Sequence, residues 1–220
     1  MAAPIAHIVC GLAFLASPYC PIQDKQAFIV GTSFPDIRYI GHLHREQTHW
    51  PDITITDVIE EPNPFLAGMK FHSWVDETRE QFVLDHALYD HFSNSPFRPT
   101  ILKFFEDTQL YNKVNWTEII PYFDTIQKEE LTFGVPLETI TQWHKMLQAY
   151  FSLPPTVESI QNTLAQNPIS FVDKLYYWSI HKIKSYRLKK QLTFDLKKLD
   201  NNRYVKERIN YFYTHIEHFF

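Results

Sequence analysis

The sequence predicts an all-α protein that folds as a multi-helix bundle, and three observations support this prediction. Apolar residues recur with helical spacing in most segments of the chain. Pro, Gly and Asn separate these segments at positions typical of helix ends. Only 5 of the 220 residues are glycine, whereas an all-β architecture needs many tight turns. We therefore expect a single all-α domain over residues 1–220, with residues 1–96 as one half and residues 97–220 as a helical extension.

Helix start signals place three helices in the first half of the chain. A proline or a hydrogen-bonding side chain stands at the start of each. The predicted helices cover residues 4–17, 25–32 and 64–90. The first is apolar on nearly every side, so we expect it to be buried. Residues 37–52 are polar and irregular, and residues 53–59 alternate weakly, as in a short strand or the lead into a loop.

The second half consists of amphipathic segments with Phe, Tyr and Leu at helical spacing. The predicted helices cover residues 99–112, 116–131, 137–152, 156–166, 169–198 and 202–219. Lysine and arginine concentrate between residues 182 and 208, with aromatic residues between them. This pattern predicts at most peripheral contact with a membrane surface or a polyanion, and a solvated helix face is the simpler interpretation.

Composition narrows the class of protein. The net charge of −4 and a pI of about 6.2 give no electrostatic footprint for specific nucleic-acid binding. Cys10 and Cys20 do not form a disulfide framework, and Cys10 is expected in the core. The apolar run over residues 8–16 is too short to span a bilayer and lacks the basic start of a signal peptide. These features predict a cytoplasmic protein, and they are compatible with export that needs no N-terminal signal.

Histidine is concentrated near the start of the chain, where we predict a metal site. His72 and Asp76 are four residues apart in a helical segment, so they lie on one face, one turn apart. His7 lies in the first turn of the first helix, Asp36 follows the break after the second, and His49 precedes a chain reversal. These nitrogen and oxygen donors suit Zn²⁺, and also Mn²⁺ or Fe²⁺. Five such ligands predict one ion, or two ions that share a carboxylate.

Two of these residues, and several histidines outside the set, also have a simpler interpretation. His7 taken alone is equally well explained as a core histidine bonded to a carbonyl. Asp36 taken alone fits a helix cap or an Asx turn. We expect His42 and His44 to be solvated. The remaining isolated histidines are interpreted as packing or surface residues: His144, His181, His215 and His218.

Four segments together resemble the zinc-dependent phospholipase C family, whose fold is similar to that of the fungal single-strand-specific zinc nucleases. They are Ala3-Pro-Ile-Ala-His7, Phe28-Ile-Val-Gly-Thr-Ser-Phe-Pro-Asp36, Thr48-His49 and His72-Ser-Trp-Val-Asp76. The segments occur in the same order as in the family and with similar spacing. The resemblance covers roughly residues 3–91, and the later helices carry no matching motif.

The resemblance implies an all-α bundle around a metal cluster, with additional C-terminal helices. One ion would be bound by Asp36, His49, His72 and Asp76. His7 would bind a neighbouring ion, and Asp76 would bridge the two. The implied activity is phosphoester hydrolysis by metal-bound hydroxide, and a phospholipid headgroup is one candidate substrate. Asp36 would act as the catalytic group that orients or deprotonates the attacking water.

The chain departs from the family pattern on the helix that carries Asp76. Well-studied secreted members have a further histidine six residues after this aspartate, where this chain has Phe82. His86 and Asp90 form a later pair that we retain as a candidate second metal site. A straight helix would place His86 ~15 Å beyond Asp76, however, at 1.5 Å per residue. We therefore expect one or two ions rather than three.

Two further classes of protein are alternatives. A non-catalytic helical binding or scaffold protein would keep a vestigial or structural metal site with no open coordination position. A ferritin-like di-iron protein needs paired Glu-x-x-His motifs on two helices, and the sequence offers only Glu46-Gln-Thr-His49 in a loop region.

Overall fold

The computed structural model describes residues 2–92, 98–156 and 186–220, and within these ranges the fold is all-α with no β-strand, as predicted. The α-helices are α1 (Pro4–Ala16), α2 (Lys25–Ser33), α3 (Arg38–Gly41), α4 (Ile55–Ile59), α5 (Pro64–Asp85), α6 (Arg98–Leu110), α7 (Trp116–Ile119), α8 (Leu137–Phe151), α9 (Tyr186–Asp200) and α10 (Arg203–Thr214). Short 3₁₀ turns connect or follow them at Phe34–Ile37, Arg45–Gln47, Leu88–His91, Tyr111–Lys113, Ile120–Asp124, Glu130–Phe133 and Ile216–Phe219.

Aromatic side chains form the core between α1, α2 and α5. Phe14, Phe28 and Phe71 are fully buried, and their ring centroids lie 5.1–5.6 Å apart. Each buried ring contributes about 1.5–3 kcal/mol relative to an exposed one. Phe220, near the C-terminal 3₁₀ turn, packs edge-on against Phe14 at 5.3 Å and tilts against Trp74 at 5.6 Å. The end of the chain therefore completes the core that the first three long helices begin.

Two glycines allow α2 and α5 to pack with their backbones in contact. A Cβ atom at Gly31 would overlap the carbonyl oxygen of Phe65, and one at Gly68 would overlap that of Phe28. No L side chain fits at either position unless the helices move apart. This close approach brings the last turn of α2 beside the middle of α5, where His72 lies.

A buried ion pair links α5 to α6 and α10. The guanidinium of Arg79 donates to Glu106 through Nε and Nη2, at 3.1 and 2.8 Å. Tyr213 donates to the same carboxylate at 3.1 Å. Arg79 and Glu106 are each only 1% exposed, so this network fixes how the helices pack inside the protein.

Several predicted boundaries differ from the observed ones. Residues 53–59 do not form a strand: α4 occupies Ile55–Ile59 and begins with a capping box between Thr54 and Asp57. The helix predicted over residues 64–90 ends at Asp85, because Ala87 adopts a left-handed conformation with φ of 48°. The helix predicted over residues 116–131 is interrupted after α7.

Other predicted segments are partly or wholly outside the described residues. These are the helix at 156–166, the part of 169–198 before residue 186, and much of the basic stretch at 182–208. In the polar stretch 37–52 the structure contains α3 and a 3₁₀ turn. The helix predicted at 202–219 is observed as α10 followed by a 3₁₀ turn. None of the helices in the described ranges combines the length and hydropathy that a bilayer span requires.

Candidate metal centre

The five predicted ligands come from separate parts of the chain and meet in one place. His7 lies on α1, Asp36 in the turn after α2, His49 in the loop before α4, and His72 and Asp76 on α5. They form two overlapping groups, His7–His72–Asp76 and Asp36–His49–His72, and the donor atoms within each group lie within 4.8 Å of one another. His72 belongs to both groups and is therefore the centre of the arrangement.

The two oxygens of Asp76 face different histidines. Its Oδ1 lies 3.3 Å from Nε2 of His7 and accepts the backbone N–H of Ala2 at 2.5 Å. Its Oδ2 lies 3.8 Å from Nε2 of His49 and 3.8 Å from Nε2 of His72. This placement matches that of a carboxylate that bridges two neighbouring ions.

The main chain of α2 orients the ring of His72. Its Nδ1 lies 2.8 Å from the carbonyl oxygen of Thr32. A carbonyl oxygen only accepts hydrogen bonds, so Nδ1 carries the proton and the neutral ring presents the lone pair of Nε2 to the cluster. The ring of His7 stacks on this ring with a centroid distance of 3.8 Å and an interplanar angle of 10°.

The ring of His49 meets the ring of His72 edge-on, with a centroid distance of 4.8 Å and an interplanar angle of 88°. Nδ1 of His49 lies 2.9 Å from the hydroxyl of Thr48, and its Nε2 lies 3.2 Å from Nε2 of His72. Two imidazole nitrogens bound to one tetrahedral Zn²⁺, at about 2.0–2.1 Å each, are about 3.3 Å apart. The observed spacing therefore suits a shared cation.

Two of the five residues carry a buried polar atom that the described structure leaves without a hydrogen bond. These atoms are Nδ1 of His7 and Oδ1 of Asp36. A buried polar atom without a partner costs about 1–3 kcal/mol. A divalent cation would satisfy these atoms, since imidazole nitrogen and carboxylate oxygen are the ligands that Zn²⁺ and similar ions bind.

The ionisation states of the cluster suit a metal. Burial, followed by the effect of His72 and Arg45, lowers the pKa of His49 to about 2. Burial and the neighbouring His7 lower the pKa of His72 to about 4, and burial also lowers the pKa of His7. Although burial alone raises the pKa of Asp76, His72 and His7 together hold it well below its usual range. Neutral imidazoles and an ionised carboxylate are the forms that bind metal ions.

The residues at the cluster differ in exposure. Asp76 is 3% exposed at its side chain, whereas Asp36 is 18% exposed. Arg45 is 45% exposed, and its Nη2 lies 3.7 Å from Oδ2 of Asp76. The most exposed groups beside the cluster therefore belong to the segment that carries Asp36 and Arg45.

Asp107 supports the first turn of α1 and was not predicted from the sequence. Ala3 provides no side-chain cap for α1. Instead the buried carboxylate of Asp107 accepts the backbone N–H groups of Ile5 at 3.3 Å and Ala6 at 3.0 Å, and the hydroxyl of Tyr150 at 2.7 Å. No local signal could have revealed this cap, because Asp107 is about a hundred residues away in the chain. It fixes the turn that carries the neighbouring His7.

The structure does not bring His86 and Asp90 to the cluster, and neither belongs to the two donor groups. Nδ1 of His86 lies 2.9 Å from the carbonyl oxygen of Phe82, and the rings of these two residues stack at 4.1 Å. Asp90 lies in the 3₁₀ turn that follows.

The simpler interpretations hold for several other histidines. His42 and His44 are exposed, as expected. His144 is a buried packing residue: its ring nitrogens lie 2.8 Å from Oε2 of Glu130 and 3.0 Å from the carbonyl oxygen of Phe123.

No family model, curated protein or solved structure matches this chain. The functional interpretation therefore depends on the geometry of the five side chains.

Proposed function

We propose that the protein is a metal-dependent phosphoester hydrolase of the zinc-dependent phospholipase C type. The observation that carries this proposal is the convergence of three imidazoles and two carboxylates in a buried cluster, with the side chain of Asp36 partly exposed. Each of the two donor groups has three residues, which leaves the fourth position of a tetrahedral ion for water or substrate, as in catalytic rather than structural sites.

The donors divide between two positions. One ion would be held by Asp36, His49 and His72, and a second ion by His7. Asp76 would lie between the two ions. His72 can serve only one ion, because its Nδ1 is used by the carbonyl of Thr32. Zn²⁺ suits these ligands best, and Mn²⁺ or Fe²⁺ accept the same set. When bound, such ions act as Lewis acids that polarise a phosphoryl oxygen and a water molecule.

The side chains of the protein contribute positioning and proton transfer. Asp36 combines a buried Oδ1 with partial exposure of the rest of its side chain, so it is placed to accept a proton from a water molecule beside it. The carbonyl of Thr32 and the hydroxyl of Thr48 orient the rings of His72 and His49. The buried aromatic rings of Phe14 and Phe71 keep water from the helix interface beneath the cluster.

The test combines metal analysis with hydrolysis of bis(p-nitrophenyl) phosphate. Protein purified without chelator should contain one or two equivalents of a transition metal and hydrolyse the diester. Asp36→Asn should reduce kcat at least about a hundredfold with an unchanged circular dichroism spectrum. His86→Ala, which alters a histidine outside the cluster, should retain both metal and activity. Purified protein with no bound transition metal would rule the proposal out.

A structural metal site in a non-catalytic helical protein is the second candidate. The near-complete burial of His7, His72 and Asp76 favours it. Such a protein would retain its metal and lose stability on chelation. It would not hydrolyse the diester, with or without the substitution Asp36→Asn.

A further inference from the structure

Two arginines lie on the segment of chain that carries Asp36 of the candidate metal centre. Arg38 follows Asp36 by two residues and begins α3. Arg45 lies in the next 3₁₀ turn, with Nη2 3.7 Å from Oδ2 of Asp76 and nearly half of its side chain exposed. The same short segment of chain thus carries one carboxylate of the cluster and two guanidinium groups.

The orientation of Arg38 is fixed by the residue that follows it. Its guanidinium carbon lies 4.0 Å from the ring centroid of Tyr39, and its Nη2 donates a hydrogen bond to the Tyr39 hydroxyl at 2.6 Å. Burial, helped by nearby Asp36, raises the pKa of Tyr39 to about 12, so the phenol remains neutral. A guanidinium that is stacked and hydrogen-bonded loses little conformational entropy when it binds an anion.

The distance between Arg45 and Asp76 places one guanidinium beside the cluster. The 3₁₀ turn that carries Asp36 continues directly into α3 at Arg38, so the second guanidinium belongs to the same short segment. Both side chains carry a positive charge, although the whole chain carries a net charge of −4.

We propose that Arg38 and Arg45 bind the non-bridging oxygens of the substrate's phosphoryl group and hold it against the metal centre. The planar fork of a guanidinium matches two phosphate oxygens, and Arg is preferred over Lys where this geometry matters. This inference rests on the proposed function for the presence of metal, and it specifies the chemical group by which the site recognises its substrate.

Binding of inorganic phosphate to zinc-loaded protein, followed by isothermal titration calorimetry, tests the inference without measuring turnover. Arg38→Gln and Arg45→Gln should each weaken phosphate binding at least tenfold, and Arg45→Lys should restore only part of the loss. The control Arg203→Gln removes the same charge from an exposed position on α10, where Arg203 pairs with Glu207, and should leave binding unchanged. Zinc content is measured for every variant, so that loss of metal is recognised separately.

Competition identifies the source of the phosphoryl group. Displacement of phosphate by glycerol phosphate assigns the site to soluble phosphate esters, and displacement by phosphatidylcholine vesicles assigns it to a lipid headgroup. The inference is overturned if neither displaces phosphate, or if Arg38→Gln and Arg45→Gln bind phosphate as tightly as the unmodified protein. Arginine-dependent phosphate binding without diester hydrolysis would support the inference and refute the proposed hydrolase.

Discussion

Nε2 of His49 and Nε2 of His72 face each other at 3.2 Å in the candidate metal centre. Because Nδ1 of His72 donates to the carbonyl oxygen of Thr32, Nε2 of His72 can only accept. Either a proton on His49 or a cation must therefore lie between the two nitrogens. The hydroxyl of Thr48 can donate to or accept from Nδ1 of His49, so His49 is able to adopt either tautomer.

Zinc should change the tautomer of His49. In protein treated with chelator, we expect the proton of His49 on Nε2, where it can be donated to His72. Titration with Zn²⁺ should move this proton to Nδ1, where Thr48 accepts it, while His72 keeps its proton on Nδ1. Long-range ¹H–¹⁵N correlation spectra of the imidazole rings report both tautomers. If the nitrogen shifts of His49 do not respond to zinc, a shared cation between His49 and His72 is contradicted.

Gly68→Ala should destabilise the fold by about 3 kcal/mol, in the upper part of the range for overpacking. The new methyl group would overlap the backbone of α2 at the carbonyl of Phe28, which cannot move aside as a side chain can. Gly11→Ala is the matched control on α1, because its methyl group would lie 3.2 Å from the flexible end of Ile29. We expect the control to stay within about 1 kcal/mol of the unmodified protein in urea denaturation. Equal stability of both variants would contradict the backbone contact.

Asp107→Asn should change how stability depends on pH. Burial raises the pKa of Asp107 to about 7 in the folded protein, from an ordinary value of 3.8. The folded state therefore holds this proton more tightly than the unfolded chain. Its stabilising contribution is complete below about pH 4 and is lost as the pH rises through 7. Between pH 4 and pH 8 the stability of the unmodified protein relative to Asp107→Asn should fall by on the order of 4 kcal/mol.

Urea denaturation across this pH range measures the Asp107 effect. Tyr150→Phe is the control, since it removes one hydrogen bond to Asp107 and leaves the carboxyl group itself in place. Its pH profile should keep the same direction as that of the unmodified protein. A stability difference between the unmodified protein and Asp107→Asn that does not vary with pH would refute the raised pKa.

Arg79→Met should destabilise the protein by about 3–5 kcal/mol, because it leaves the buried carboxylate of Glu106 without its cation. The double variant Arg79→Met/Glu106→Leu should regain most of this loss. Arg203→Met, which breaks an exposed pair with Glu207, should cost less than about 1 kcal/mol. A double variant as unstable as the single one would show that the charge of Glu106 is not the cause.

Local sequence signals predicted the helices well and the interhelical contacts poorly. Asn63 and Pro64 marked the start of α5, and the spacing of His72 and Asp76 placed them on one face of it. The end of α5 was predicted too late, because the left-handed conformation of Ala87 has no signal in the residue type. The interruption after α7 was missed although Pro121 lies there.

The ligands of the candidate site could be predicted, because histidine and aspartate in this arrangement have few other reasons to occur together. The contacts that support these ligands could not be predicted. Thr32, Thr48 and Asp107 are common residue types, and their roles depend on tertiary packing. The same is true of the pairing between Arg79 and Glu106, which are 27 residues apart. Such contacts are fixed by how the helices pack and leave no trace in a local pattern.

The atom that orients His72 belongs to the main chain, not to a side chain. A substitution at Thr32 changes the side chain and leaves this carbonyl oxygen in place. The orientation of the His72 ring therefore tolerates mutation of the residue to which it is hydrogen-bonded. Substitution is restricted instead at Gly31 and Gly68, where an added Cβ atom would overlap the backbone of the facing helix. The position of the Thr32 carbonyl beside His72 therefore depends on two glycines that contribute no ligand atom of their own.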